Sequence, residues 1–211
     1  MFQFYKNINK KKKLACFQAG MTYVELIVVL SIFSVMTSIV LFNYGRFQEK
    51  VDIKVLANDI ALKIVEAQKA AMSGKTNDVA AASNPNWKPS YGVYFYNTSS
   101  ISDRNHFIYF ADLDSNKKFS DTACTGECLD DIKITKNDYI SLITVFDKDG
   151  THNASSFDDL SITFVRPSSE ASIKLPNLST DNMDYVQVTL TSPSGLNAFI
   201  DVYSSGRIQI K

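Results

Sequence analysis

The chain has 211 residues and a formal net charge of zero, with 45% hydrophobic and 12% aromatic residues. This composition predicts a folded core and argues against an intrinsically disordered protein. The charge is unevenly distributed, because residues 1–20 contain five of the 22 basic residues and none of the 22 acidic ones. The remaining chain therefore has 17 basic and 22 acidic residues, a formal net charge of −5. Bulk charge gives it no attraction for nucleic acid, so nucleic acid is not an expected partner.

A long apolar segment runs from Met21 to Phe42 and contains a single charged residue, Glu25. As a helix, it would be about 33 Å long, which is enough to cross the hydrocarbon core of a bilayer. The lysines before it, at positions 6 and 10–13, keep the leader in the cytoplasm by the positive-inside rule. The sequence therefore predicts one transmembrane helix, with the C-terminal side of the chain exported.

A candidate processing point lies before this apolar segment, between Gly20 and Met21. A secretory signal peptide has the opposite order, since it is cleaved after its apolar region and next to small residues. Cleavage after Gly20 would leave the apolar segment on the mature chain, with Met21 as its new N-terminus.

Glu25 needs a physical explanation, because a carboxylate in a membrane helix costs about 2.5 to 3.5 kcal/mol on insertion scales. In one interpretation, Glu25 lies near the membrane interface and is tolerated there. In the other, it pairs with the new α-amino group of Met21 on a neighbouring chain of an assembly. Such a pair would favour one register between the helices, because a buried unpaired charge is strongly unfavourable.

The sequence Gly20-Met-Thr-Tyr-Val-Glu25-Leu-Ile-Val-Val-Leu, after a basic leader, resembles the class III signal of type IV pilins and pseudopilins. The resemblance implies that a prepilin peptidase cuts after Gly20 and methylates the new N-terminus at Met21. It also implies that Glu25, the acidic fifth residue, acts in assembly. Thr22 fits the same pattern, whereas Met21 stands where phenylalanine is more usual.

A second resemblance covers the C-terminal part of the chain. Four short motifs in order are similar to the minor-pseudopilin branch that includes the H component of type II secretion and FimT-type minor pilins: Tyr91-Gly-Val-Tyr-Phe95, Tyr109-Phe-Ala-Asp-Leu-Asp-Ser-Asn-Lys-Lys-Phe119, Phe164-Val-Arg-Pro167 and Gly206-Arg-Ile208. This resemblance implies a low-abundance or tip-associated subunit with a β-sandwich-like head.

Residues 43–73 predict a continuation of the helix, so that it would run as one rod from Met21 to Ser73. They contain no proline and one glycine, Gly45. Apolar residues recur there at spacings of three and four, which predicts one buried face packed on a sheet: Leu56, Ile60, Ile64, Ala67 and Ala71. Gly74 and the proline-containing cluster 84–89 are expected to end the helix and begin a loop.

The remaining chain predicts β-strands with turns between them. The predicted strands are Tyr91–Tyr96, His106–Ala111, Asp138–Phe146, Leu160–Val165, Tyr185–Leu190, Ala198–Tyr203 and Arg207–Ile210, with a hairpin turn at Ser204–Gly206.

The expected fold class is α+β, a long N-terminal helix packed on a C-terminal antiparallel β-sheet or β-sandwich-like head. The expected regions are a leader (1–20), a transmembrane and assembly helix (21–42), an amphipathic continuation (43–73) and a head (74–211).

Two of the three cysteines lie close together in the predicted head, Cys124 and Cys128. In an exported domain this even number predicts a disulfide that closes a small loop. A metal site is the alternative, but four thiolate or imidazole ligands are not at hand. Cys16 lies in the leader, and its resemblance to a lipoprotein box is weak because no apolar region precedes it.

Asp112, Asp114 and Asn116 have the spacing of oxygen ligands at the start of a calcium loop, and Asp121 would add a ligand. Other features oppose this interpretation, because the loop glycine is absent and Ala123 occupies the twelfth position instead of glutamate. An Asx-type turn between two strands is favoured over calcium. The sequence accordingly implies no cofactor, with calcium as the alternative.

Catalytic motifs are not apparent in the sequence. His106 falls in a predicted strand and His152 in a predicted turn, where structural and solvated histidines respectively are expected. The chain has no Gly-x-Ser-x-Gly elbow, no His-Glu-x-x-His motif and no phosphate loop. We therefore expect the protein not to be an enzyme.

Two functions from different classes fit these features. The first is a structural subunit of a type IV filament or a type II secretion pseudopilus, anchored in the inner membrane before assembly. Its implied partners are prepilin peptidase, other pilin or pseudopilin subunits, the inner-membrane assembly platform and membrane lipid. The second is a signal-anchored binding protein whose extracytoplasmic head captures DNA, carbohydrate or a secreted substrate.

Overall fold

The structure, a computed structural model, describes residues 20–76, 88–97, 104–121, 124, 126–149, 152–153, 157–176 and 182–211. It contains one long helix and ten β-strands within these residues. The leader, including Cys16, and most of the predicted loop at 84–89 lie outside them. The fold class is α+β, as the sequence predicts.

Helix α1 spans Tyr23–Ser73, so it begins two residues later than predicted and ends where predicted. Gly74 ends it in the left-handed region, at φ 63°. The Gly74 N–H donates to the Ala71 carbonyl (3.0 Å), and the Lys75 N–H donates to the Ala70 carbonyl (3.1 Å). These two bonds form a Schellman motif, which satisfies carbonyl groups that have no partner inside the helix.

The chain divides into two compact units, one up to Tyr44 and one from Gly45 to Lys211. Within the first unit, every residue from Gly20 to Phe42 is exposed. The second unit contains the remainder of α1 and all the strands.

Two five-stranded antiparallel sheets make up the strand part of the second unit. Their strands follow the orders β3-β2-β1-β6-β7 and β10-β9-β8-β4-β5. The strand bounds are β1 Ser90–Tyr96, β2 His106–Asp112, β3 Cys128–Lys133, β4 Tyr139–Asp147, β5 His152–Asn153, β6 Asp159–Phe164, β7 Ala171–Lys174, β8 Met183–Thr191, β9 Asn197–Tyr203 and β10 Ile208–Ile210.

All seven predicted strands are present, with ends within two residues of those expected. The predicted hairpin turn also lies between β9 and β10, with Gly206 at φ 83°. Three strands were not predicted: β3, β5 and β7. All three lie at sheet edges. Strands β5 and β7 are too short, at two and four residues, to stand out in the sequence, and β3 is largely exposed.

The predicted apolar stripe of the second unit's helix is confirmed with one adjustment. Ile60, Ile64, Ala67 and Ala71 are buried. Leu56 is only partly buried, and the stripe extends instead through residues with no exposed surface or almost none: Ile53 and Ala57. This stripe forms one hydrophobic core with residues from both sheets, including Phe95 of β1 and Val188 of β8.

Candidate functional site

The start of helix α1 is fixed by Thr22. The Thr22 Oγ1 atom accepts a hydrogen bond from the Glu25 backbone N–H (3.3 Å), and the Thr22 carbonyl accepts one from the Leu26 N–H (3.1 Å). Thr22 is therefore the N-cap and Glu25 the third helical residue, the two positions that define the capping-box sequence. Helix α1 consequently begins at Tyr23 rather than at Met21, which lies before the cap.

The third helical position of Glu25 was not predicted, although the Thr-x-x-Glu spacing is visible in the sequence. Its carboxylate lies in the first turn of α1, where the helix dipole favours a negative charge. Glu25 forms no ion pair with another described residue. A partner for its charge would have to come from outside the described part of the chain.

Gly20 and Met21 precede the cap and are exposed. No heavy atom lies within 4 Å of the position that a Cβ atom on Gly20 would occupy. The peptide bond between the two residues is therefore not shielded by any described part of the chain.

The apolar residues that follow are exposed on every side of the helix. Their side chains include Phe33 at 67% exposure, Leu41 at 67% and Phe42 at 84%. An 18-residue stretch of this helix has a mean hydropathy of 2.4, and none of that stretch is buried. By length and composition the helix can cross a membrane, so it is compatible with a single-pass anchor.

A second candidate site lies in the loop between β2 and β3, where three carboxylates converge. One oxygen from each of Asp112, Asp114 and Glu127 lies within 4.8 Å of the others. Asp112 and Glu127 are buried, and Asp114 is exposed. Burial, and then the neighbouring Asp114 carboxyl, raise the pKa of Asp112 to about 6.

Backbone N–H groups orient each of these carboxylates. The Lys117 N–H donates to Asp112 Oδ2 (3.0 Å), and the Asn116 N–H donates to Asp114 Oδ1 (3.0 Å). Glu127 accepts two such bonds, one at each carboxylate oxygen: Leu113 N–H to Oε1 (3.1 Å) and Ser120 N–H to Oε2 (2.9 Å). The bond from Asn116 to Asp114 closes the predicted Asx turn.

The middle residues of the same loop attach it to the sheet that contains β2 and β3. Phe119 packs against Tyr94 and Phe110 with ring centroids 5.1 and 5.4 Å apart. Its N–H donates to Ser161 Oγ (3.2 Å), and the Lys117 carbonyl accepts from the Thr163 hydroxyl (2.8 Å). Lys117 and Phe119 are therefore held by contacts with β1, β2 and β6.

The residues predicted as calcium ligands differ in the hydrogen bonds that they form within the loop. Asn116 is committed to hydrogen bonds inside the loop, since its Oδ1 atom accepts from the Lys118 N–H (2.7 Å) and its Nδ2 atom donates to Asp114 Oδ2 (2.6 Å). Asp121 Oδ2 accepts from the Gly126 N–H (2.7 Å). Glu127, which was not predicted, completes the carboxylate cluster.

Glu127 was missed because the glutamate was sought at the twelfth loop position, where Ala123 stands. Glu127 lies four residues further along, within the short loop that a disulfide between Cys124 and Cys128 closes, with Cα atoms 4.7 Å apart. This bridge holds the two ends of that short loop together. With both sulfur atoms joined, the alternative of a thiolate metal site does not apply to this state of the protein.

The two histidines lie in strands of the second unit. His106 begins β2, as predicted, and its ring lies 4.9 Å from the ring of Tyr96. His152 lies in the short strand β5, paired with Phe146, and not in the predicted turn. The shortness of β5 explains this difference, because a strand of two residues carries no periodic pattern that the sequence could show.

No family model, curated protein or solved structure matches this chain.

Proposed function

We propose that the chain is a structural subunit, of minor-pilin or pseudopilin type, of a type IV filament or a type II secretion pseudopilus. Prepilin peptidase would cut between Gly20 and Met21 and methylate Met21. The α1 helix would then leave the membrane and pack against the helices of other subunits on the inner-membrane assembly platform.

The observation that carries this proposal is the start of α1. The helix, which is apolar and exposed on every side from Tyr23 to Phe42, begins three residues after an accessible Gly20, and this segment has one carboxylate, Glu25. Exposed apolar side chains lose roughly 1.5 to 3 kcal/mol each relative to burial, so this surface requires lipid or other apolar helices around it. A membrane anchor alone gives no reason for a carboxylate within the apolar segment, apart from the preference of a first helical turn for negative charge.

The second unit is suited to act as the extracytoplasmic head. Both five-stranded sheets and the buried helix stripe contribute to one hydrophobic core, which supports a β-sandwich-like head. The lysine-rich leader favours export of this unit across the inner membrane.

The deciding experiment is the intact mass and N-terminal sequence of the protein from its native membrane. We expect a chain that starts at Met21 and carries one methyl group. The substitution Gly20→Val should leave the leader attached, whereas the matched control Gly45→Val, at an uncrowded glycine within α1, should be cut normally. An intact leader on the wild-type chain, in cells that contain the peptidase, would contradict the proposal and favour the signal-anchored binding protein.

A further inference from the structure

We propose that the β2–β3 loop binds one Ca²⁺ ion through the carboxylates of Asp112, Asp114 and Glu127. This inference does not rest on the filament proposal, because all three residues belong to the second unit and the binding is measured on the protein outside any assembly.

The first reason is an oxygen atom that has no partner. Asp112 is 0% exposed, and its Oδ1 atom forms no hydrogen bond with any described residue. A buried carboxylate oxygen without a donor is strongly unfavourable unless a water, a proton or a cation satisfies it. This carboxylate is one of the three that converge within 4.8 Å, so a cation among them would satisfy it.

The second reason is the absence of a basic partner for the three negative charges. None of the ion pairs between described residues involves Asp112, Asp114 or Glu127. The adjacent Lys118 pairs instead with Asp159, at 3.8 Å. Like charges at this spacing repel one another, and a divalent cation offsets two of the three.

The chemistry of the ligands favours Ca²⁺ over other common metals. All three ligands are carboxylates, the hard oxygen donors that Ca²⁺ prefers, and no imidazole or free thiolate is part of the cluster. Mg²⁺ usually binds through one or two carboxylates and retains several waters. Three carboxylates supply up to six oxygens, and water or main-chain carbonyls would complete the six to eight that Ca²⁺ takes.

The hydrogen bonds to the cluster leave it able to bind a metal. Each carboxylate oxygen has two lone-pair sites, so the N–H groups that orient Glu127 leave one site free on each of its oxygens. Donors of this kind fix the direction of metal ligands and contribute to affinity.

The test uses the full chain in detergent, freed of metal with EGTA and dialysed. Titration calorimetry with CaCl₂ should give one Ca²⁺ per chain, and the Tm should rise with Ca²⁺ concentration because the ion binds the folded state. MgCl₂ at the same concentration should raise the Tm less. Failure of CaCl₂ to produce either binding heat or a Tm shift in the wild-type chain would overturn the inference.

Isosteric variants locate the site. Asp112→Asn and Glu127→Gln should each weaken Ca²⁺ binding by at least about tenfold, whereas the matched control Asp131→Asn, on exposed β3, should bind as the wild type does. The exposed position of Asp114 allows Asp114→Asn to serve if Asp112→Asn does not fold. Wild-type affinity in all of the folded cluster variants would place the ion elsewhere and overturn the assignment.

Discussion

The two parts of helix α1 arrange their apolar residues differently. Up to Phe42, apolar side chains cover all sides of the helix and none is buried. From Gly45 onward, one apolar stripe is buried in the core, and the other faces carry charged residues together with exposed apolar ones such as Phe47 and Leu62. The buried stripe is satisfied within the chain, whereas the apolar side chains up to Phe42 are not buried by any described residue. Substitutions that affect only one part are the sharpest way to separate these roles.

The largest expected effect is on assembly, through Glu25. Glu25→Leu should abolish incorporation into filaments, measured by the amount of the subunit in sheared filament fractions. Glu25→Gln should abolish it as well, because glutamine preserves the capping box but removes the charge. Glu49→Gln, in the same helix but beyond the apolar segment, should assemble normally.

The two Glu25 variants distinguish the structural role from the electrostatic one. If Glu25→Gln assembles as the wild type does and Glu25→Leu does not, helix capping explains Glu25 and the inter-chain pair with Met21 is wrong. Normal assembly of both variants would remove the argument that this carboxylate sets the helix register.

The next largest effect is expected on stability, where two isoleucines of the same helix can be compared. Ile64→Ala should lower the free energy of unfolding by about 2 to 5 kcal/mol, because Ile64 is fully buried and its loss leaves a cavity. Ile32→Ala should change it by less than about 0.5 kcal/mol, because Ile32 is 56% exposed. Urea unfolding followed by near-UV circular dichroism measures both, and equal effects would contradict the proposed difference between the two parts.

The comparison also explains how much of the fold the sequence could predict. The stripe from Ile60 to Ala71 was predicted because one buried face imposes a helical period on the sequence. Central strands such as β1 and β8 were predicted because burial selects apolar and β-branched residues. Edge strand β3 was missed, since its sequence CLDDIK is largely exposed and burial selects little in it.

The candidate sites were predictable to different degrees. Asp112 and Asp114 were found because they are close in sequence and their spacing is itself a signal. Glu127 was not found, because its approach depends on the bridge from Cys124 to Cys128 and on hydrogen bonds from Leu113 and Ser120. The two hydrogen bonds join Glu127 to residues fourteen and seven positions earlier, and such contacts leave no local pattern.

A smaller effect is expected from the polar contact that attaches the helix to two loops of the second unit. The Gln68 Nε2 atom donates to the carbonyls of Ser169 (2.9 Å) and Gly206 (3.2 Å). Gln68→Ala should lower the free energy of unfolding by about 1 kcal/mol, the net contribution of a typical hydrogen bond. Asn58→Ala is the matched control, since Asn58 donates only to Lys54 of the same helix (2.7 Å); a similar loss there would contradict a special role for Gln68.

The smallest effect depends on pH and contrasts two carboxylates of α1. Glu25 has no ion-pair partner among the described residues, whereas Asp52 Oδ1 lies 2.6 Å from Lys136 Nζ. The hydrogen bond from Lys136 lowers the pKa of Asp52 below its ordinary value of 3.8. A carboxylate whose pKa is lower in the folded state stabilises that state above the unfolded pKa, and this contribution is lost as pH falls through the folded value. Lys136→Met should therefore lower the Tm near pH 7, and the Tm difference between this variant and the wild type should shrink below about pH 3.8.

A Tm difference that persists unchanged into acid would mean that Lys136 contributes through the packing of its aliphatic stem. In that case the charge of Asp52 would not be satisfied by this pair, and the contrast with Glu25 would no longer hold.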